Sequence, residues 1–88
     1  MEVLVSQKFN EAMKELSKSS QQKVMKLFSF INKAEKEEMA TLLFIKVNSK
    51  NNDLFILQDN NIQIYCTFIF QENKTNLIFL TVVSVDDV

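Results

Sequence analysis

Few residues of this 88-residue chain have side chains suited to chemistry. Gln63 and Tyr65 stand two apart in "IQIYCTFIF", a run of strand composition, so their side chains share one face. Tyr65 has a ring that can stack and a phenol that can pass a proton, and Gln63 offers neutral hydrogen-bonding groups. The same residue types also serve as polar and amphipathic cover on the less buried face of a sheet, and the sequence leaves both uses open. Lys23, Lys26, Lys33 and Lys36 recur along a helical segment. They form either a phosphate-binding stripe or the solvated side of an amphipathic helix, with Lys33 and Glu37 spaced as an i,i+4 pair.

What is missing narrows the chemistry further. The chain has no His, Arg, Gly, Pro or Trp, and all ten of its cations are Lys. Without His the usual general base near neutral pH is gone. Without Gly there is no glycine-rich phosphate loop, and without Arg no bidentate phosphate clamp. A bias toward AT-rich codons would explain Lys in place of Arg, but it does not restore Arg chemistry. Cys66 is the single cysteine, so it has no internal disulfide partner, and no second Cys or His completes a zinc site. Its position inside an apolar run fits a small buried hydrophobe. No metal and no cofactor is expected. Asn73-Lys74-Thr75 matches a glycosylation sequon, a chance match in a chain without a secretion signal.

These residues need elements to hold them. With 47% apolar and 24% charged residues, the composition is that of a globular chain, and the length suits a single domain over residues 1–88 with one modest core. No apolar run approaches the roughly 20 residues of a membrane span. The start, "MEVLVSQKF", has an acid at position 2 and no apolar h-region, which predicts no signal peptide and a cytoplasmic location without membrane association. Charge is unevenly placed. Residues 1–50 hold nine Lys against six acids, a balance of +3, and residues 51–88 hold one Lys against five acids, a balance of −4. Any basic face is therefore weak and lies on the first half.

Residues 2–5, "EVLV", form a candidate strand, and Ser6 stands where a helix N-cap would. Phe9, Ala12, Met13 and Leu16 follow at i, i+3, i+4, i+7, and Val24, Leu27, Phe28 and Ile31 repeat the spacing. Between the two stripes, Ser19 with Gln22 fits a capping box. Two helices with core-facing stripes and a short link predict an antiparallel hairpin. "KAEKEEM" continues the second helix or frays from it. From residue 41 the pattern changes to strands: "TLLFIKV", "DLFILQ", "IQIYCTFIF" and "LIFLTVVSV". Asn-rich links join them, and Asn tolerates the positive φ that Gly would otherwise supply. The last two strands are apolar on both faces, which places them centrally in a sheet. The expected fold is α+β: an N-terminal strand and a helical hairpin packed on a mostly antiparallel sheet, in the order β-α-α-β-β-β with one further strand allowed near residue 41.

This order, length and pattern resemble the RelE/ParE toxin superfamily of bacterial type II toxin–antitoxin systems. "SQKFNEAMKELSKSSQQKVMKLFSFI" is similar to the family's helical hairpin, and "NDLFILQDNNIQIYCTFIFQENKTNLIFLTVVSV" to its closing strands. The resemblance implies a toxin held by a cognate antitoxin protein. In the family's ribosome-dependent nucleases, cations on the sheet surround the scissile phosphate of mRNA while a base activates the ribose 2′-hydroxyl. By that resemblance Lys46, Lys50, Gln63 and Tyr65 are the candidate catalytic residues. The sequence departs from the pattern where it matters most. The family's strand Arg falls on Gln63, and its basic pair after the last strand falls on Asp86–Asp87. Three functions follow as alternatives: a ribosome-dependent mRNA endonuclease, a non-catalytic binder of the kind that inhibits DNA gyrase, and an interaction module that pairs with an antitoxin or with itself as a homo-oligomer.

Overall fold

The computed structural model describes residues 1–47 and 53–85. Its elements run β1 (Val3–Val5), α1 (Gln7–Lys14), α2 (Lys18–Lys33), α3 (Lys36–Met39), β2 (Leu43–Lys46), β3 (Leu54–Asp59), β4 (Ile62–Gln71) and β5 (Lys74–Ser84). The five strands form one sheet in the order β1-β5-β4-β3-β2. β1 runs parallel to β5 and every other pair is antiparallel. The α+β layout is the expected one, with β2 as the further strand. β4 and β5, apolar on both faces, hold the centre.

Helices cover one face of the sheet. Phe9 of α1 and Val24, Leu27 and Ile31 of α2 pack with Leu57, Ile62, Ile64, Cys66, Leu77 and Phe79. Phe79 sits at the middle, its ring 5.3 Å from Phe9 and 6.3 Å from Phe28 between centroids. Full burial of such a side chain contributes about 2 to 3 kcal/mol. A second aromatic group, Phe44, Phe55 and Phe68, closes the β2 side of the same face with centroids 5.4 to 6.5 Å apart. Two phenylalanines stay outside the core. Phe70 is 70% exposed near the β4–β5 turn, and Phe30 is 37% exposed on α2.

Local chemistry sets the helix ends. Ser6 has extended backbone and accepts a 3.0 Å hydrogen bond from the Phe9 amide, as its N-cap position predicts. Its hydroxyl also donates to the Leu80 carbonyl at 2.8 Å, which anchors the start of α1 to β5. The start of α2 corrects the expected capping box. Ser17, not Ser19, is the N-cap and accepts from the Ser20 amide, so Ser19 lies inside the helix. The reason is tertiary. With this start, the Gln21 side chain donates to the carbonyls of Met13 and Leu16 and satisfies the end of α1. The helix also stops earlier than "KAEKEEM" suggested. Ala34 turns extended, Glu38 accepts from the Glu35 amide, and α3 begins as a separate turn. That break removes the helical i,i+4 relation between Lys33 and Glu37.

Asn does stand in for Gly at the turns. Asn60 takes φ 53° between β3 and β4, and Asn73 takes φ 60° between β4 and β5. Glu72 joins Asn73 at φ 52°, so both central residues of that two-residue turn are left-handed. At the outer edge of β1 the Val3 amide donates to the side chain of Asn32 on α2. Among the described residues no helix is long and apolar enough to cross a membrane.

Candidate functional site: the open face of the sheet

The face of the sheet away from the helices carries Gln63 and Tyr65. Strand pairing places each in a row. Tyr65 lies between Ile56 on one side and Thr81 on the other, with Ile45 beyond Ile56. Gln63 lies between Gln58 and Val83, with Leu43 beyond Gln58. A β-bulge in the β4–β5 pairing between Tyr65 and Cys66 leaves Leu80 as the extra residue and keeps Thr81 opposite Tyr65. The two residues do share a face, as their spacing predicts, and both are half-buried.

The Gln63 side chain is bonded to a neighbouring strand. Its amide donates a 2.8 Å hydrogen bond to Gln58 Oε1, and the Gln58 amide donates in turn to the Asn60 carbonyl at 2.7 Å. The pair staples β3 to β4 beside their turn. At the same end Lys23 Nζ donates to Asn61 Oδ1 at 3.0 Å, and Asn61 Nδ2 donates to Ser84 Oγ at 2.9 Å. These bonds tie α2, the β3–β4 turn and the end of β5 together. Every buried side-chain nitrogen or oxygen among the described residues has a partner.

Of the candidate cations, Lys46 does not stand beside Tyr65. Lys46 pairs with Phe55, which pairs with Cys66 and so with Phe79. That row belongs to the helix-covered face, so Lys46 and Tyr65 stand on opposite faces of the sheet. Lys74 is the one described strand lysine on Tyr65's face. It pairs with Gln71, six residues along β4 from Tyr65, which is about 20 Å at the strand rise. Lys50, Asp86 and Asp87 lie outside the described residues. Among the described residues there is also no cluster of His, Cys, Asp or Glu suited to a metal ion.

Around Gln63 and Tyr65 the open face mixes apolar side chains with Thr67, Gln71, Lys74, Asn76 and Thr81. Leu43 is 56% exposed and Ile45 45% exposed, with Leu4 and Val83 exposed and Ile56 and Ile78 half-buried. Sequence reasoning missed Gln58 and Thr81 as the neighbours of Gln63 and Tyr65. The signal for Gln58 was present: a two-residue Asn-Asn turn after Asp59 pairs residue 58 with residue 63. For Thr81 there was none, because the bulge shifts the pairing. Cys66, on the other face, is fully buried. Loss of solvation there pushes its thiol pKa up to about 12, which leaves it protonated and unreactive.

No protein-family model matches the sequence, and no curated protein matches it either. In three dimensions the chain is similar to a chain in the crystal structure of the archaeal RelE–RelB complex from Pyrococcus horikoshii OT3. The two superpose with a TM-score of 0.68 over 99% of this chain and 97% of that one, at 11% sequence identity. The protein therefore has a RelE-like fold.

Proposed function

We propose that this protein is the toxin-fold member of a toxin–antitoxin pair, held by a small antitoxin protein and acting by binding rather than by cutting RNA. The observation that carries the reading is the setting of Tyr65. It shares its face with a committed Gln63 and with exposed Leu43, Ile45 and Val83, while Lys46 is on the far side of the sheet. Cleavage of a phosphodiester builds negative charge that needs cations a few ångströms away. At about 20 Å, beyond the screening length at physiological salt, a lysine such as Lys74 gives little help. Exposed Leu43, Ile45 and Val83 among polar neighbours suit a protein partner instead. The archaeal RelE–RelB structure, a complex of two proteins, supports a partner of the antitoxin kind.

The alternative is a ribosome-dependent endonuclease in which Lys46, Lys50, Gln63 and Tyr65 surround the phosphate. It needs Lys46 on Tyr65's face. Inducible expression in a bacterial host separates the two readings, with and without a co-expressed antitoxin-like neighbouring gene. Growth arrest that the neighbour relieves, with intact mRNA by primer extension, is the expected result. Unimpaired growth at full soluble expression would reject the toxin reading, and ribosome-phased mRNA cuts would reject the binding mode. A supercoiling assay and an in vitro translation assay then assign the target to gyrase or to the ribosome.

A further inference from the structure

The second half of the helical hairpin has a surface that the sheet does not explain. From Leu16 to Ala34 the chain contains no acid, yet it carries Lys18, Lys23, Lys26 and Lys33. On the outer side of α2, Lys18, Gln22, Met25 and Ser29 follow at i, i+4, i+7, i+11. Lys26, Phe30 and Lys33 run beside them at i, i+4, i+7. Met25 is 53% exposed and Phe30 is 37% exposed, although both are large and apolar. Between them Ser29 is small, and a shallow cavity of about 440 Å³ opens over Met25, Lys26, Ser29, Phe30 and Lys33. A neighbouring cavity of about 490 Å³ continues it over Lys18, Gln22 and Met25 toward the start of the helix.

We infer that this outer face of α2 is a docking groove for an acidic amphipathic helix of a partner protein. The inference takes only the existence of a protein partner from the proposed function. Charge complementarity chooses the occupant: exposed Lys18, Lys26 and Lys33 flank the apolar side chains, α2 itself carries no acid, and Asp59 of β3 adjoins only the Lys23–Lys26 side, in a cavity shared with Phe30. Shape agrees. A helix ridge seats where a small residue lies between larger ones, as Ser29 does between Met25 and Phe30. α2 offers about 24 Å of length, enough for four turns of a partner helix. A nucleic acid fits less well, because two exposed apolar side chains occupy the middle of the stripe and the strand half of the chain repels an extended polyanion.

The test uses the whole isotope-labelled protein and three probes. One is a designed 18-residue peptide with Leu at helical i, i+3, i+4, i+7 spacing and Glu on its flanks. The second has every Glu replaced by Lys, and the third is a short oligouridine. The Glu peptide should bind, with NMR shifts concentrated on Lys18, Met25, Lys26, Ser29, Phe30 and Lys33. The Lys peptide should bind at least tenfold more weakly. K26E/K33E, both at exposed positions, should lose tenfold or more for the Glu peptide while its circular dichroism stays that of the parent. No binding, equal affinity for both peptides, shifts centred on Ile45 and Val83, or tighter binding of oligouridine would each overturn the groove. The outcome is separable from the proposed function. Growth arrest without binding on α2 removes only the groove, and binding on α2 without growth arrest removes only the toxin reading.

Discussion

Gln63 and Gln58 face each other across β3 and β4 and share a 2.8 Å hydrogen bond, which the Gln58 amide extends to the Asn60 carbonyl in the turn. Gln63, where the resemblance to the RelE/ParE superfamily implies a cation, thus has a structural partner. Gln63→Ala should cost about 1 kcal/mol, the net worth of such a bond, and lower Tm by roughly 4 to 8 °C. Tyr65→Phe removes only the phenol oxygen. On the binding reading, neither change alters growth arrest by more than its effect on stability, which a growth curve at matched soluble protein measures. A tenfold or greater loss of arrest in well-folded Tyr65→Phe would point back to proton transfer.

Ser6 joins three elements through one hydroxyl. Its oxygen accepts from the Phe9 amide and donates to the Leu80 carbonyl. Ser6→Ala removes both bonds and should cost about 1 to 2 kcal/mol by urea denaturation. Ser6→Asp keeps a cap acceptor but has no proton for Leu80, so its stability should fall between those of Ser6→Ala and the parent.

The β4–β5 turn holds a residue type unsuited to its backbone. Glu72 has φ 52°, a conformation that costs roughly 1 to 2 kcal/mol for an ordinary L-residue and less for Asn. Glu72→Asn should therefore stabilise the protein by about 0.5 to 1 kcal/mol, read as a higher urea midpoint at unchanged slope.

Cys66 predicts a pH dependence. Its folded pKa of about 12 lies above the ordinary value of 9.0, so only the unfolded chain ionises the thiol between the two. Below pH 9 both states hold the proton and the thiol contributes no slope. From pH 9 toward pH 12 the unfolded state binds fewer protons, and stability falls as pH rises. The parent should lose stability over that window faster than Cys66→Ala. At pH 8 the native thiol should resist iodoacetamide and react only at the rate of unfolding.

The order of elements and the central place of β4 and β5 were legible in the sequence, because apolar periodicity and Asn-rich turns are local signals. Ser6 was legible as a cap for the same reason. The cap of α2 was not. Ser17 with Ser20 and Ser19 with Gln22 have the same three-residue spacing, and what separates them is the reach of Gln21 to Met13 on α1 and to Leu16 just beyond it. The site was half legible. Alternation alone puts Gln63 and Tyr65 on one face. The side on which Lys46 falls depends on the pairing of Lys46 with Phe55, which the sequence between β2 and β3 does not dictate.

The parallel pairing of β1 with β5 has a consequence for how the protein is made. Val3 pairs with Leu77, and Val5 pairs with Phe79, the centre of the core. β1 must wait for β5 before it has a neighbour. Until β5 emerges, α1 has no Phe79 to pack on and Ser6 has no Leu80 carbonyl. Docking of β1 is thus deferred until β5 is made, with the slow closure expected of contacts so distant along the chain. Nascent chains stalled before residue 79 should remain protease-sensitive throughout.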